Sequence, residues 1–396
     1  MKPSARRLSA ALLLLLPLAA APAVAAEPPP EPPARTVPAP LRTQPSAIAG
    51  RYIVALDAKA VTATVTRQVG VTPLYSYSSV FRGFAARLDP ARLAAVRALP
   101  EVTSVEEDAV VTATPVPAKG LRAPASSWGL DRIDQPYLPL DNTFTVGTTG
   151  SGVGAFILDT GIDYRHPEFS GRVQAGFDAV GDGRNGQDCN GHGTHVAGTV
   201  AGATYGVARR AGLVSVRVLD CEGKGSSAGV IAGLDWVAQH ARQPAVLNAS
   251  LGGPRSDAVN SAATALSDRG VLPVVAAGND AVDACTVSPA SAARVVTVGA
   301  TQHLDQETGF SNFGPCLWIY APGQQIVSAR LGGGSVALNG TSMASPHVAG
   351  VAVLHKARNP SATPEQVAVR LAEQSVKDVL QVSKGSPNRL LQTGGL

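Results

Sequence analysis

The sequence predicts an α/β fold, a parallel sheet with helices on both faces, preceded by a small α+β domain. Three observations carry this reading. Between residues 128 and 396, short apolar runs alternate with helical stretches, the pattern of a two-sided parallel sheet. Those runs are apolar throughout rather than alternating, as strands buried on both faces are. Residues 50–113 carry their own strand and helix signals between two Pro-rich segments.

The elements follow in order. Arg6 and Arg7 precede the apolar run 11-ALLLLLPLAA-20 and the small residues 23-AVAA-26. A basic start, a short apolar middle and an Ala-rich exit predict a secretory signal peptide over 1–26 and a secreted, extracellular protein. No later apolar run is long enough to span a membrane. Residues 27–49 are Pro-rich and read as an extended linker. In the small domain, 51-RYIVALD-57 and 102-VTSVEEDAVV-111 read as strands, 75–88 as a bent hairpin around Gly83, and 90-PARLAAVRAL-99 as a helix. Pro90 suits a first helical turn, and Leu93, Val96 and Leu99 recur at helical spacing. About 60 residues is marginal for independent stability, so this unit calls for a partner surface. Residues 114–127 form a second linker. Beyond it, strands are expected at 153-VGAFILD-159, 213-LVSVRVLD-220, 245-AVLNASLG-252, 271-VLPVVAAGN-279 and 295-VVTVGAT-301. Helices are expected at 193–202, 226–241, 256–270 and 343–357.

Charge excludes one class of partner. From Leu121 onward the chain holds 20 Lys and Arg against 21 Asp and Glu, with no basic stripe to track a nucleic acid. A monomer is expected. Cys189, Cys221, Cys285 and Cys316 are an even set in an exported chain, which favours disulfides and leaves three pairings open. Cys189, His192 and His195 are evenly spaced within 187-QDCNGHGTHV-196. That spacing resembles part of a zinc site, but no further ligand lies nearby in the sequence.

Functional residues in open α/β sheets gather beyond the carboxyl ends of strands. Asp159 and Asn279 close two of the expected strands. His192 opens a helix, and Ser342, within 339-NGTSMASPHVAG-350, sits on a glycine-flanked turn into the helix expected at 343–357. Serine needs a base to take its proton and an acid to orient that base. A side-chain amide such as Asn279 and the backbone N–H of Ser342 could hold the developing oxyanion. Asp159-Thr160-Gly161 alone would also fit half of an aspartic protease, but no second such motif exists.

The stretches 128-WGLDRID-134, 158-LDTGID-163, 190-NGHGTHVAGT-199, 250-SLGG-253, 275-VAAGN-279 and 340-GTSMASPHVAG-350 resemble the subtilisin-like serine proteases (peptidase S8). Within that family the chain is most similar to the proteinase K group and its aqualysin-type enzymes. Residues 50–113, ending in 105-VEEDAVV-111, resemble the family's I9-type inhibitory propeptide.

The resemblance implies a subtilisin-like fold over 128–396 and a ferredoxin-like propeptide that serves as folding aid and intramolecular inhibitor. It implies a secreted serine endopeptidase, made as an autoprocessed zymogen, with Asp159 as acid, His192 as base, Ser342 as nucleophile and Asn279 as oxyanion donor. Polypeptide substrates would add as a strand between 223-GKGS-226 (Gly223, Gly225) and 250-SLGG-253 (Ser250, Leu251, Gly252, Gly253). The small, uncharged walls at Leu251–Gly253 and at Ala276, Ala277 and Gly278 imply bulky apolar residues at P1. Pro254 is expected to start a helix. The implied disulfides are Cys189–Cys221 and Cys285–Cys316. Structural Ca2+ is implied at Asp131, Asp134, Gln135, Asp141 and Thr143. A second family calcium site, near 293-ARV-295, loses its carboxylate because Trp318 stands in its place. His195 is expected to pack behind the base, and His166 and His347 to fill supporting positions. Matching Trp128 puts the mature start near Leu121; matching 105–111 puts the cut nearer 113. The alternatives from other classes are a catalytically dead fold used for binding and an esterase using the same acyl chemistry.

Overall fold

The computed structural model describes residues 37–113, 127–383 and 385–396. The predicted signal peptide and nearly all of the second linker lie outside the described residues. The small domain runs β1 (Leu41–Arg42), β2 (Ala47–Leu56), α1 (Thr62–Gln68), β3 (Tyr75–Tyr77), β4 (Gly83–Arg87), α2 (Pro90–Ala98) and β5 (Val102–Thr112). Its sheet order is β1-β5-β2-β4-β3, so β2 to β5 and their two helices make the expected ferredoxin-like unit. The linker reading of 27–49 needs correction at its end. Leu41 and Arg42 pair with Val105 and Glu106, Ala47 pairs with Ala109, and Ala39 is buried. Proline removes a donor only at its own position, and the residues between the prolines are free to pair. The helix α1 was not expected, because its sequence TATVTRQ offers one buried aliphatic, Val65.

The large domain continues α3 (Trp128–Asp134), β6 (Gly154–Asp159), β7 (Val173–Asp178), α4 (His192–Ala201), β8 (Gly212–Arg217), β9 (Lys224–Ser226), α5 (Ser227–His240) and β10 (Ala245–Ala249). Then come β11 (Gly253–Pro254), α6 (Asp257–Asp268), β12 (Leu272–Ala276), β13 (Val287–Ser288), β14 (Val296–Thr301), β15 (Ile319–Pro322), β16 (Ile326–Ala329) and β17 (Ser335–Leu338). The chain closes with α7 (Thr341–Arg358), α8 (Pro364–Gln374), β18 (Val376–Lys377) and β19 (Arg389–Leu390). Nine strands form one sheet in the order β18-β19-β15-β14-β12-β10-β6-β8-β7. All neighbours are parallel except β18 and β19.

The five strands read from sequence are the consecutive inner strands β14-β12-β10-β6-β8, and β10, β12 and β14 are buried at every residue. One apolar layer packs α4 and α7 against the sheet around Ile157, Val274, Val298, Val348 and Val351. The other packs α5 and α6 on the opposite face around Leu158, Leu247, Ile231 and Leu266. From β6 the chain proceeds to β8 on one side and through β10, β12 and β14 on the other. The order therefore reverses at β6, and a crevice opens beyond its carboxyl end. Pro254 does not begin a helix. It pairs in β11 with Val287, and α6 starts three residues later behind Ser256, whose Oγ accepts the Val259 N–H.

Candidate active site

Asp159 ends β6 at this crevice, fully buried. Its Oδ1 accepts the Thr160 N–H (2.7 Å) and the His192 Nδ1–H (2.7 Å). His192 is the first residue of α4 and 2% exposed. The helix can approach this closely because its second residue is glycine: a Cβ on Gly193 would lie 2.2 Å from the Gly161 carbonyl oxygen. Burial pulls the His192 imidazolium down, but the charge and hydrogen bond of Asp159, with the charge of Asp188, outweigh it. The pKa ends above the ordinary 6.5.

Asp188 is a second buried carboxylate that sequence reasoning passed over. Its oxygens accept from Asn190 N (2.9 Å), Gly191 N (3.0 Å), Thr194 N (3.0 Å), Thr194 Oγ1 (2.5 Å) and Thr160 Oγ1 (2.9 Å). It thereby ties the turn before His192 to the turn after Asp159.

Ser342 is the second residue of α7 and 2% exposed. Gly340, at φ 145°, makes the turn into the helix in a conformation that favours glycine. Ser342 Oγ donates to Ser250 O (3.3 Å), while His192 Nε2 has no hydrogen-bond partner among the described residues. Pro346, inside α7, cannot donate back to the Ser342 carbonyl. Ser250 Oγ donates to that carbonyl instead (2.8 Å), held by Asn248 Nδ2 (2.9 Å), and Asn248 Oδ1 accepts from Ser345 Oγ (2.8 Å). This chain of polar groups fixes the first turn of α7 to β10. A proline four residues after the serine was its one sequence signal. Asn279 Oδ1 accepts from Thr341 N (2.8 Å) and Thr341 Oγ1 (2.9 Å). Those bonds orient the amide, and Nδ2 lies 3.5 Å from where a Gly340 Cβ would be.

The groove beside these residues holds the end of the small domain. Val110, Val111 and Thr112 pair antiparallel with Ser226, Gly225 and Lys224. Ala113 N extends that ladder by donating to Gly223 O (2.9 Å), and on the other side Thr112 N donates to Gly252 O (3.0 Å) and Gly252 N to Thr112 O (3.1 Å). The tail is therefore a strand inserted between two enzyme segments. A cavity of about 320 Å³ adjoins it, lined by Leu251, Gly252, Gly253, Ala276, Gly278 and Asn279 among others, with Ser342 on its wall. One expected wall residue, Ala277, and one residue of the expected pairing segment, Ser250, lie elsewhere. Ala277 is buried with Ala284, Leu317 and Tyr320, and Ser250 is turned toward α7. Asp280 joins the lining as an exposed carboxylate that sequence reading missed.

Further contacts seat the small domain. Glu106 Oε2 accepts the Ala258 N–H at the start of α6 (3.2 Å), and Asp108 Oδ1 accepts the Ala228 N–H at the start of α5 (2.9 Å). Asp108 also pairs with Arg51 (2.5 Å). From the enzyme side, Asp235 Oδ1 accepts the N–H groups of Ser78, Ser79 and Val80 (3.1, 2.6 and 2.9 Å).

Cys189–Cys221 and Cys285–Cys316 are both formed, with sequence separations of 32 and 31. The resemblance to a zinc site dissolves here. Cys189 is bonded to Cys221, and His195 Nε2 donates to Ile326 O (3.0 Å). Burial, first of its causes, pushes the His195 pKa down to about 3, so the ring is neutral. His347 is likewise buried, down to about 4, with Nδ1 donating to Met343 O (2.9 Å). His166 joins Gly334 O (3.2 Å). Among the described residues, one cluster of three potential ligands converges within 4.8 Å: Asp182, Cys189 and Cys221. Its sulfurs are oxidised to a disulfide, so it is no thiolate site.

The expected calcium residues gather where the end of α3 (Asp131, Asp134) meets the loop after it (Gln135, Asp141, Thr143). Asp131 accepts Asp141 N (3.3 Å) and Asn142 N (2.7 Å), Asp134 accepts Thr145 N (2.6 Å), and Gln135 Oε1 accepts Asp141 N (3.2 Å). Asp141 accepts from Thr143 Oγ1 (2.6 Å). Burial, then the charges of neighbouring aspartates, raises the pKa of Asp131 and Asp134. This unbalanced negative charge on hard oxygens fits a divalent cation in kind. At the position of the family's second calcium site, not expected to carry over to this chain, Trp318 donates its indole N–H to Ala368 O (3.0 Å) and offers no carboxylate.

Fold and groove define a class, the serine proteases that bind a polypeptide as an added strand. Residues 150–393 match the subtilase family (Peptidase S8), and residues 51–114 match the peptidase inhibitor I9 family. The chain is 44% identical over 373 residues to the alkaline serine exoprotease A of Vibrio alginolyticus, covering 90% of this chain and 70% of that one. It is 45% identical over 392 residues to the extracellular serine proteinase of Thermus sp. strain Rt41A, covering 91% and 94%. A crystal structure of a cold-adapted subtilisin-like serine proteinase superposes with TM-score 0.67 at 47% identity, covering 68% of this chain and 99% of that chain. The chain belongs to the subtilase family: it is a subtilisin-like serine endopeptidase with an I9 inhibitor domain. Among the described residues no helix is long and apolar enough to cross a membrane.

Proposed function

We propose that this endopeptidase cleaves through an acyl-enzyme on Ser342, with His192 as base, Asp159 as its orienting acid, and Asn279 with the Ser342 N–H as oxyanion donors. The observation that carries this reading is the buried 2.7 Å Asp159–His192 pair at the sheet's switch point. The Ser342 hydroxyl turns from Ser250 O to His192 Nε2, which takes its proton as Oγ bonds the substrate carbonyl carbon. The protonated imidazole then gives that proton to the leaving amine, and water repeats the sequence to free the acid. One side-chain oxyanion donor contributes about 2.7–4 kcal/mol to such a transition state.

The groove's small apolar walls support broad specificity with apolar P1 residues; Asp280 at the wall disfavours acidic ones. The tail strand at Thr112 and Ala113 supports intramolecular inhibition, and a processing cut just beyond Ala113 rather than near Leu121. The export signal and the relatives' names support secretion. Of the alternatives, binding without catalysis and an esterase, neither gains an observation of its own. The test is labelling of the processed protein by a fluorophosphonate. Wild type is expected to label and Ser342→Ala not to; processed wild type that fails to label overturns the mechanism.

A further inference from the structure

At the far end of α7 lies a cavity of about 780 Å³, within the size range of small-molecule sites. Lys356 and Ser342 are on the same helix, fourteen residues and so about 21 Å apart along its axis. This cavity is therefore no part of the substrate groove. Its walls include Val295, Leu317, Trp318, Pro364, Ala368 and Val369. Lys356 also lines it, although the residue is only 1% exposed. Its Nζ donates to two neutral acceptors, Gln243 Oε1 (2.9 Å) and Gly270 O (3.2 Å).

An ammonium has three donors, so one is left over. Among the described residues no carboxylate pairs with Lys356. The charged groups at the rim are otherwise engaged or exposed: Arg294 pairs with Asp268, and Glu365 stands in solvent in the first turn of α8. Buried charges are normally paired, because removing them from water alone is costly. Burial accordingly draws the Lys356 pKa below its ordinary value. Val369, 43% exposed, marks the outer end of the apolar wall.

We propose that this cavity binds an amphiphilic carboxylate, its anionic head on the Lys356 ammonium and its hydrocarbon along Trp318, Leu317 and Val295 toward Val369. One cation calls for one negative charge, and the apolar walls call for a hydrocarbon body. A medium-chain fatty acid and the free C-terminus of a peptide ending in an apolar residue share that chemistry. The inference does not depend on the catalytic assignment above.

The test is isothermal titration of the processed enzyme with decanoate below its micellar concentration, with decanol and N-acetylphenylalaninate as further arms. Decanoate is expected to saturate one site and decanol to bind at least about tenfold more weakly, since a charge-assisted hydrogen bond is lost. Binding at the groove beside Ser342 would not discriminate through Lys356. Lys356→Met is expected to weaken decanoate about tenfold or more and leave decanol unchanged. Val369→Asp, at an exposed rim position, keeps Lys356 and is also expected to weaken decanoate, so it decides the matter if the first variant does not fold. Tighter binding of N-acetylphenylalaninate than of decanoate assigns the site to peptide ends; the reverse assigns it to fatty acids. No saturable binding of either carboxylate, or decanoate binding unchanged by both variants, overturns the proposal.

Discussion

At the scale of residues, His192 is the group whose surroundings matter most. Its pKa is raised above 6.5 because two carboxylates outweigh its burial. The charged pair stabilises the fold fully below pH 6.5, and that contribution fades as pH rises through the raised pKa. Catalysis runs the other way, because the base must be neutral. The acidic limb of a kcat/KM profile for a peptide anilide is therefore expected to titrate above 6.5, and Asp188→Asn to move it downward. A limb below 6.5 in the wild type would contradict the net stabilisation of the imidazolium by these carboxylates. Asp159, His192, Asn279 and Ser342 were legible because each stands where an apolar run or helix begins or ends. Asp188 was not, because an aspartate in a polar loop reads as a turn residue, nor were Asn248 and Ser345, whose partners are distant in sequence. Asn248 lies inside a strand, where a polar residue gives no hint that it serves a helix 97 positions away.

At the scale of elements, the inner strands were legible because they are apolar on both faces. The edge strand β7 was not: four of its six residues are partly buried and two exposed, so it lacks both patterns. In α8, Val367 and Leu371 are buried four residues apart, but a short amphipathic helix near the chain's end resembles many surface segments. The strand β5 shows how one element can carry two messages. Its apolar residues at 102, 105 and 109–111 made it readable as a strand, while Glu106 and Asp108 gave no sign of what they touch. They are 3% and 0% exposed, because they reach the N-termini of α6 and α5. Unsatisfied N–H groups at a helix start favour such carboxylates. Asp108→Ala leaves Arg51 without its partner and the Ala228 N–H in the first turn of α5 without its acceptor, and breaking such a buried pair costs about 3–5 kcal/mol. Inhibition by the small domain added in trans is expected to weaken by two orders of magnitude or more, read as Ki on the mature enzyme. An unchanged Ki would place the docking energy elsewhere.

At the scale of the molecule, two domains share one sheet edge, since β9 continues the small domain's sheet and the tail enters the groove. The 131–145 loop sets a separate condition on stability. Asp131 and Asp134 have raised pKa values, so their contribution is present below 3.8 and lost as pH rises. At neutral pH their charge burdens the fold unless a cation balances it. Calcium bound there at a hundredfold excess over Kd would contribute about 2.7 kcal/mol. Chelation is expected to lower Tm, and Asp134→Asn to remove most of that calcium dependence; a Tm indifferent to chelator would sink the calcium assignment. If Ser342 performs peptide cleavage, its own chain is among the substrates. N-terminal sequencing of secreted wild type beside Ser342→Ala tests it most directly. The wild type is expected to begin shortly after Ala113 and the mutant to keep the small domain, residues 50–113, attached. A mutant processed at the same bond as the wild type, by its own purified preparation, would contradict it.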